Sequence, residues 1–528
     1  MTTSNIRTRY APSPTGPLHV GGVRTALFNY LFAKKHGGEF LLRIEDTDSK
    51  RFDRDAESHI KESLRWLGII PDMSPWEDLS SKKQGFNPSL MRQSARAVNG
   101  MYVSAIEQLL KDGHAYVAFD TEDELTAARE RWNAAGHKGG YNHKTRSEMS
   151  NSLNPNFCAT VGELTAKMST IPHVIRWMNV PGKTVVIDDL VKGTVTFSSD
   201  DMDDKVLVKK DRVPTYHLAN VCDDHDMEIT HVIRGDEWLS SASLHMMLYE
   251  ALGWTPPKFA HLPLVWNPDG KSKLSKRAAL KLGFTVFAVG YKGMDEGELV
   301  DIPGFRELGY EPEALVNFLA LLGWNSGTEK EKFTMAELID AFSLDRINNS
   351  GARFDILKLN AFNFAAVQNL PPSEIVPANL FSKFDHADYM QVVEWTKERS
   401  PFRKDTPATY MPFIKAPESY LLDGKNPLTP EAESVWLAVC DEAEKSDLPW
   451  TRPNIETLIL AVCAVKDVKK GSIMPFLRTA LTGGHPGPDL IGTMAILGKR
   501  NSLDRIRTAV AEITIINKKG TGWKALSS

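Results

Sequence analysis

The stretch "RYAPSPTGPLHVGG", Arg9 to Gly22, crowds prolines and glycines around His19. It follows "IRTRY", which reads as a short strand. After it comes "VRTALFNYLFAKKHGG", where Val23, Ala26, Leu27, Tyr30 and Leu31 recur at helical spacing until Gly37 and Gly38 end the run. "EFLLRIED" then reads as a buried strand with acidic residues at its carboxyl end. These segments predict a βαβ unit, and a turn so thin in side chains lets a ligand approach the backbone. Free N–H groups and the helix dipole both draw phosphate to such a helix start. The turn matches neither GxxxxGK[ST] nor GxGxxG, so by itself it specifies no ligand.

The rest of the chain narrows the choice. With 528 residues it is too long for one core, and about three to five units are expected. Hydrophobic content of 42% and charged content of 25% are those of a globular protein. "TTSNIRTRY" after Met1 lacks the apolar core of a signal peptide, and no run is long and apolar enough to predict a membrane span. Cys158, Cys222, Cys440 and Cys463 lie far apart, which fits a reduced cytoplasmic protein with neither a disulfide framework nor a thiolate zinc site. A net charge of −4 argues against wholesale nucleic-acid binding but leaves room for local basic faces.

From Met101 the texture changes. "YVSAIEQLLKDGHAYVAFD" reads as a helix and a strand, and "HVIRWMNV" and "KTVVIDDLVKGTVTF" alternate like strands of a mixed insertion. Around Thr215 the parallel-sheet texture returns, with a helix at "YHLANVCDD", a strand in "ITHVIRG" and a helix in "SASLHMMLYEALGW". Beyond Gly309 the reading is mainly helical. The plan is a split nucleotide-binding domain, an insertion and a helical C-terminal half.

Two further segments carry chemistry. "KSKLSKR", Lys271 to Arg277, follows a strand of the returning sheet, so it can reach the same crevice as His19. Two phosphate-seeking elements at one crevice suggest a nucleoside triphosphate neutralised during transfer. In "PTYHLANVCDDHDMEITHVIRGDEW", His217, His225 and His231 with Asp223, Asp224 and Asp226 fit no zinc spacing, and the aspartates read as helix caps. Arg234, at a strand end, suits a carboxylate.

"PLHVG" and "KLSKR" resemble the HIGH and KMSKS signatures of class I aminoacyl-tRNA synthetases. "RYAPSPTGPLHVGGVRTALFNYLFAKKHGGEFLLRIEDTD", "PTYHLANVCDDHDMEITHVIRGDEWLSSASLH" and "MPFLRTALTGGHPGPDL" are similar to the bacterial glutamyl-tRNA synthetases, nearly along the full length. The resemblance implies ATP-dependent ligation of L-glutamate to tRNA(Glu) through a glutamyl-adenylate, with magnesium entering only with ATP, and a monomer. It implies an α/β fold: a split Rossmann-type parallel-sheet catalytic domain at 1–100 and 211–270, and an α/β acceptor-end insertion at 101–210. A stem-contact region with the KMSKS-like loop is expected at 271–347, and α-helical anticodon-binding parts at 348–440 and 441–528. His19, Lys273 and Lys276 are the implied catalytic residues. Gly21, Gly22, Glu237 and Ser275 join them around ATP. Arg9, Ala11, Ser13, Glu45, Tyr216 and Arg234 match the glutamate-binding positions, with Glu45 on the ammonium and Arg9 the expected reader of the side-chain charge.

Two departures stand out. Some members carry a cysteine-rich zinc site after the position of "HAYVAFD"; no cysteine lies there, so no zinc is expected. The segment between Lys276 and Pro312 is longer than in short members and is expected to extend a loop near the catalytic face. Glutaminyl-tRNA synthetase, with β-barrels in its C-terminal half, is opposed by the helical texture. A truncated relative without an anticodon part is opposed by the chain's length, and a silent tRNA-binding protein by the intact His19, Lys276, Glu45 and Arg9. Whether tRNA(Gln) is also charged with glutamate is not legible from spacing.

Overall fold

The computed structural model describes residues 6–48, 51–79, 87–136, 140–295, 298–422, 427–485 and 487–518. The chain divides into two compact units, residues 1–308 with 315–359, and residues 309–314 with 360–528.

The first unit is built on a six-stranded sheet. Its order is Glu39–Leu42, Arg7–Tyr10, His231–Gly235, Lys258–Leu262, Thr184–Asp189 and Gly193–Ser198. The first five strands run parallel and the last turns back antiparallel. The chain leaves Arg7–Tyr10 for one neighbour and later returns on its other side with His231–Gly235, so the strand order reverses there. Ligands of such sheets bind beyond the carboxyl ends at this reversal, where Arg9 and Arg234 lie. The Val20–Lys35 helix crosses over between the first two strands, burying Val23, Ala26, Leu27 and Leu31. Gly37, at φ +63°, turns the chain beyond its C-terminal end. Asn29, buried on this helix, donates to the Ile233 carbonyl at 2.9 Å and pins helix to sheet.

The "KTVVIDDLVKGTVTF" hairpin, expected inside the insertion, instead lengthens the main sheet: Asp189 pairs with Phe259 of the Lys258–Leu262 strand. Alternation marks a strand but not its partner. The insertion's own sheet has three antiparallel strands, Ala115–Ala118, Val174–Trp177 and Val206–Val208.

The long segment after Lys276 is more than a loop. Tyr291–Asp295 and Glu298–Ile302 form an antiparallel hairpin, and the Tyr291 hydroxyl donates to Asp53 Oδ2 at 2.6 Å. Residues just before it brace the histidine turn: Val20 N–H donates to the Val286 carbonyl at 2.8 Å. His59 links the same two segments, with Nδ1 accepting Leu18 N–H at 3.0 Å and Nε2 at 2.9 Å from the Val289 carbonyl.

Among the described residues the regular elements of the second unit are all helices, from the later turns of Ile356–Asn369 to Leu490–Lys518. Trp436 centres its larger core with Ile459, Phe476 and Ile506, and its indole N–H donates to the Ile473 carbonyl at 3.0 Å. Gly498, at φ +79°, breaks the last helix in two. Among the described residues no strand follows Ala352–Arg353, which removes the β-barrel alternative.

Candidate active site

The histidine turn ends in a capped helix. His19 is the N-cap of Val20–Lys35, and its Nδ1 accepts the Gly21 N–H at 3.0 Å. Burial, with Lys273 nearby, lowers the imidazole to about 4, so it is neutral at pH 7. With Nδ1 accepting, the proton sits on Nε2, which is buried without a partner. His19 lines a cavity of about 290 Å³ with Gly21, Gly22, Glu237 and Lys273. A Cβ at Gly22 would come within 2.5 Å of Tyr10 Oη and 2.8 Å of Leu18 Cδ1, so a side chain there would have to displace both. Lys273 Nζ lies 3.3 Å from Glu237 Oε1.

A second cavity, of about 270 Å³, shares Gly21, Gly22, Gly235 and Glu237 with the first. Arg9, Ala11, Ser13, Glu45, Tyr216 and Arg234 all line it. The structure thus gathers every expected glutamate contact in one place. Of the expected ATP residues, Ser275 and Lys276 line neither cavity. Ser275 caps the short Lys276–Lys281 helix, accepting the Ala278 N–H at 3.4 Å.

The two arginines of the second cavity differ. Arg9 donates from Nε and Nη2 to Asp224, at 3.1 and 3.2 Å. Arg234 has neutral partners: Nε donates to His261 Nε2 at 3.0 Å, Nη1 to the Tyr216 hydroxyl at 2.8 Å, and Nη2 to the Trp238 carbonyl at 3.1 Å. No ion pair to Arg234 occurs among the described residues, and burial holds its guanidinium below its ordinary pKa. An uncompensated buried cation calls for an anionic ligand. Burial pushes the Tyr216 hydroxyl up to about 12, so it keeps its proton.

Glu45 accepts from Asn220 Nδ2 at 3.1 Å and Arg43 Nη2 at 3.2 Å. Burial raises its carboxyl above the ordinary range against the pull of Arg43 and Arg9. Arg43, fully buried, also reaches Asp224 at 2.7 Å and Asp223 at 3.5 Å. Burial opposes its charge, and Asp224, Asp223 and Glu45 outweigh that. Arg96 holds Asp223 at 2.6 Å and Asp226 at 2.5 Å. The aspartates expected as caps are therefore ion-pair partners. They lie at the C-terminal end of Tyr216–Asp226, where the helix dipole disfavours carboxylates, and the arginines offset that cost.

Arg43, Arg96, Asn220 and His261 were not singled out by the sequence reading. "RIED" and "YHLANVCDD" contain the first and third, but nothing in either shows which charge faces which. Among the described residues no group of three or more His, Cys, Asp or Glu side chains is placed to hold a metal ion.

A family model described as "tRNA synthetases class I (E and Q), catalytic domain" matches residues 5–361, and one described as "Anticodon binding domain" matches 365–510. The chain belongs to the class I tRNA synthetases. Curated glutamate–tRNA ligases lie close to this synthetase. That of Cytophaga hutchinsonii is 42% identical over 526 residues, covering 97% of this chain and 98% of its own. That of Christiangramia forsetii is 42% identical over 516 residues, covering 96% and 99%. The crystal structure of a glutamate tRNA ligase from Elizabethkingia meningosepticum in complex with its amino acid matches this synthetase with a TM-score of 0.85. The identity there is 38%, over 97% of this chain and 100% of that one. The anticodon-domain match sets aside the truncated relative. No helix among the described residues is long and apolar enough to cross a membrane.

Proposed function

We propose that this synthetase joins L-glutamate to tRNA(Glu) in two steps. In the first, the α-carboxylate attacks the α-phosphorus of ATP and pyrophosphate leaves. In the second, a hydroxyl of the terminal tRNA ribose attacks the carbonyl carbon and AMP leaves. The observation that carries this reading is the uncompensated Arg234 guanidinium in one cavity with buried Glu45, beside a second cavity lined by His19 and Lys273.

Glu45 takes the substrate ammonium, which relieves the burial of its own charge. Arg234, Arg9 and the Tyr216 hydroxyl face the side-chain carboxylate. An amide would place an NH₂ group against guanidinium donors with no acceptor to find, which disfavours glutamine. Ala11 and Ser13 line the same pocket. His19 Nε2–H and Lys273 stabilise charge on the triphosphate. Lys276 and Ser275 join them from the KMSKS-like loop, while Gly21, Gly22 and Glu237 border the nucleotide. Magnesium enters with ATP, and no zinc takes part. The insertion holds the acceptor end and the helical half reads the anticodon of a cytoplasmic, monomeric enzyme.

The test is charging of purified tRNA(Glu) and tRNA(Gln) with glutamate and with glutamine. Glutamate-dependent charging of tRNA(Glu) is the expected result. Equal use of glutamine would overturn the carboxylate reading. Light scattering and metal analysis check the monomer and the absence of zinc.

A further inference from the structure

We propose that Asp189 and His261 are positioning residues that fix the orientation of Arg234 for its carboxylate ligand. The proposal rests on the glutamate reading of the Arg234 pocket. Neither residue lines that cavity or its neighbour, so each acts through Arg234.

Each link in the chain leaves one arrangement of protons. Asp189 ends the Thr184–Asp189 strand, and its side chain is fully buried. Burial would raise its carboxyl, but bonds from His261 and from the Lys192 and Val191 backbone outweigh this and keep it ionised. Its Oδ1 accepts the N–H groups of Val191 and Lys192, both at 2.9 Å. Its Oδ2 accepts the His261 backbone N–H at 3.1 Å and lies 2.6 Å from His261 Nδ1. A carboxylate only accepts, so Nδ1 carries the proton. Burial lowers the His261 pKa, so the ring is neutral and Nε2 is left with its lone pair. Arginine only donates, and its Nε–H meets that lone pair at 3.0 Å. Arg234 and His261 are also register partners on adjacent parallel strands. The Tyr216 hydroxyl and the Trp238 carbonyl hold the two terminal nitrogens, so the whole guanidinium plane is set. The carboxylate selects the tautomer, and the tautomer selects the arginine orientation. The segment supplying Asp189 is the hairpin that joins the main sheet from within residues 101–210.

Steady-state charging of tRNA(Glu), with separate KM values for glutamate and ATP, tests this. In His261→Gln the amide oxygen can replace Nε2 as acceptor for Arg234. In His261→Asn it cannot reach. In Asp189→Asn an NH₂ group faces N–H donors, which favours the tautomer that presents Nε2–H to Arg234. Asp189→Asn and His261→Asn are expected to raise KM for glutamate about ten- to a hundredfold, with KM for ATP changed by less than about threefold. His261→Gln is expected to stay within about threefold of the parent for both substrates. Equal effects of His261→Gln and His261→Asn, or parallel rises in both KM values, would overturn the proposal, since a merely structural role produces that pattern. If Asp189→Asn does not fold, the His261 pair still decides. Arg234→Gln separates the two levels: no rise in KM for glutamate there defeats the pocket reading itself. A rise there without one in His261→Asn defeats only the positioning role.

Discussion

Arg9 Nε lies 3.1 Å from Asp224 Oδ1, with both side chains buried, and the same carboxylate oxygen takes Arg43 Nη1 at 2.7 Å. The charge of Arg9 is thus shared before any ligand arrives, whereas that of Arg234 is not. The two arginines of the second cavity are not equivalent.

This difference predicts how the two fail. Arg234→Gln should raise KM for glutamate about thirty- to a thousandfold with little change in folding stability, because its partners are neutral. Arg9→Gln should raise it too, but should also lower the unfolding midpoint, since Asp224 loses one of two cations. Glutamate titrations at saturating ATP, beside thermal melts, check both. A KM unchanged in Arg234→Gln would remove Arg234 from the side chain of glutamate, and with it the pocket reading.

Arg43 is the hub of the buried network, touching Glu45, Asp223 and Asp224 with no exposure of its own. Arg43→Met should destabilise the chain by about 3–5 kcal/mol, because it strands buried carboxylates. Chemical denaturation measures this, and a loss below about 1 kcal/mol would mean that water or protonation satisfies them.

His19→Ala and Lys276→Ala should each slow glutamyl-adenylate formation about a hundredfold, the usual cost of one preorganised donor to developing charge. Single-turnover rates are the measurement. Near-parental rates in both would remove them from the chemistry.

Burial holds His19, His217 and His231 each at about 4 in the folded chain. Between pH about 6.5 and 4 the unfolded chain binds protons that the folded one refuses, so stability falls as pH falls through that window. Melts from pH 7 to 5 should show falling midpoints, with a shallower fall in His231→Asn. A midpoint that rises on acidification would contradict the assigned neutral rings.

Lys466 and Lys469 are exposed between the Arg452–Val465 and Lys470–Thr482 helices. Their double replacement by alanine should weaken tRNA binding and reduce its salt slope by about one per lysine. An unchanged slope places the phosphate contacts elsewhere.

The elements assigned to chemistry are legible in the order of the amino acids alone. The turn around His19, the basic "KSKLSKR" loop and Arg234 at a strand end follow from local rules of periodicity, helix starts and residue chemistry. So does the helical character of the last third. Partners emerge only once the chain is folded. Folding moved the 184–198 hairpin onto the main sheet, turned three expected caps into ion-pair partners, and set a neutral His261 rather than a carboxylate beside Arg234. The physical reason is that strand alternation and charge type are properties of single segments. Strand neighbours and buried charge pairs instead bring together residues as distant as Arg9 and Asp224. Their energies exist only once the low-dielectric interior has formed around both.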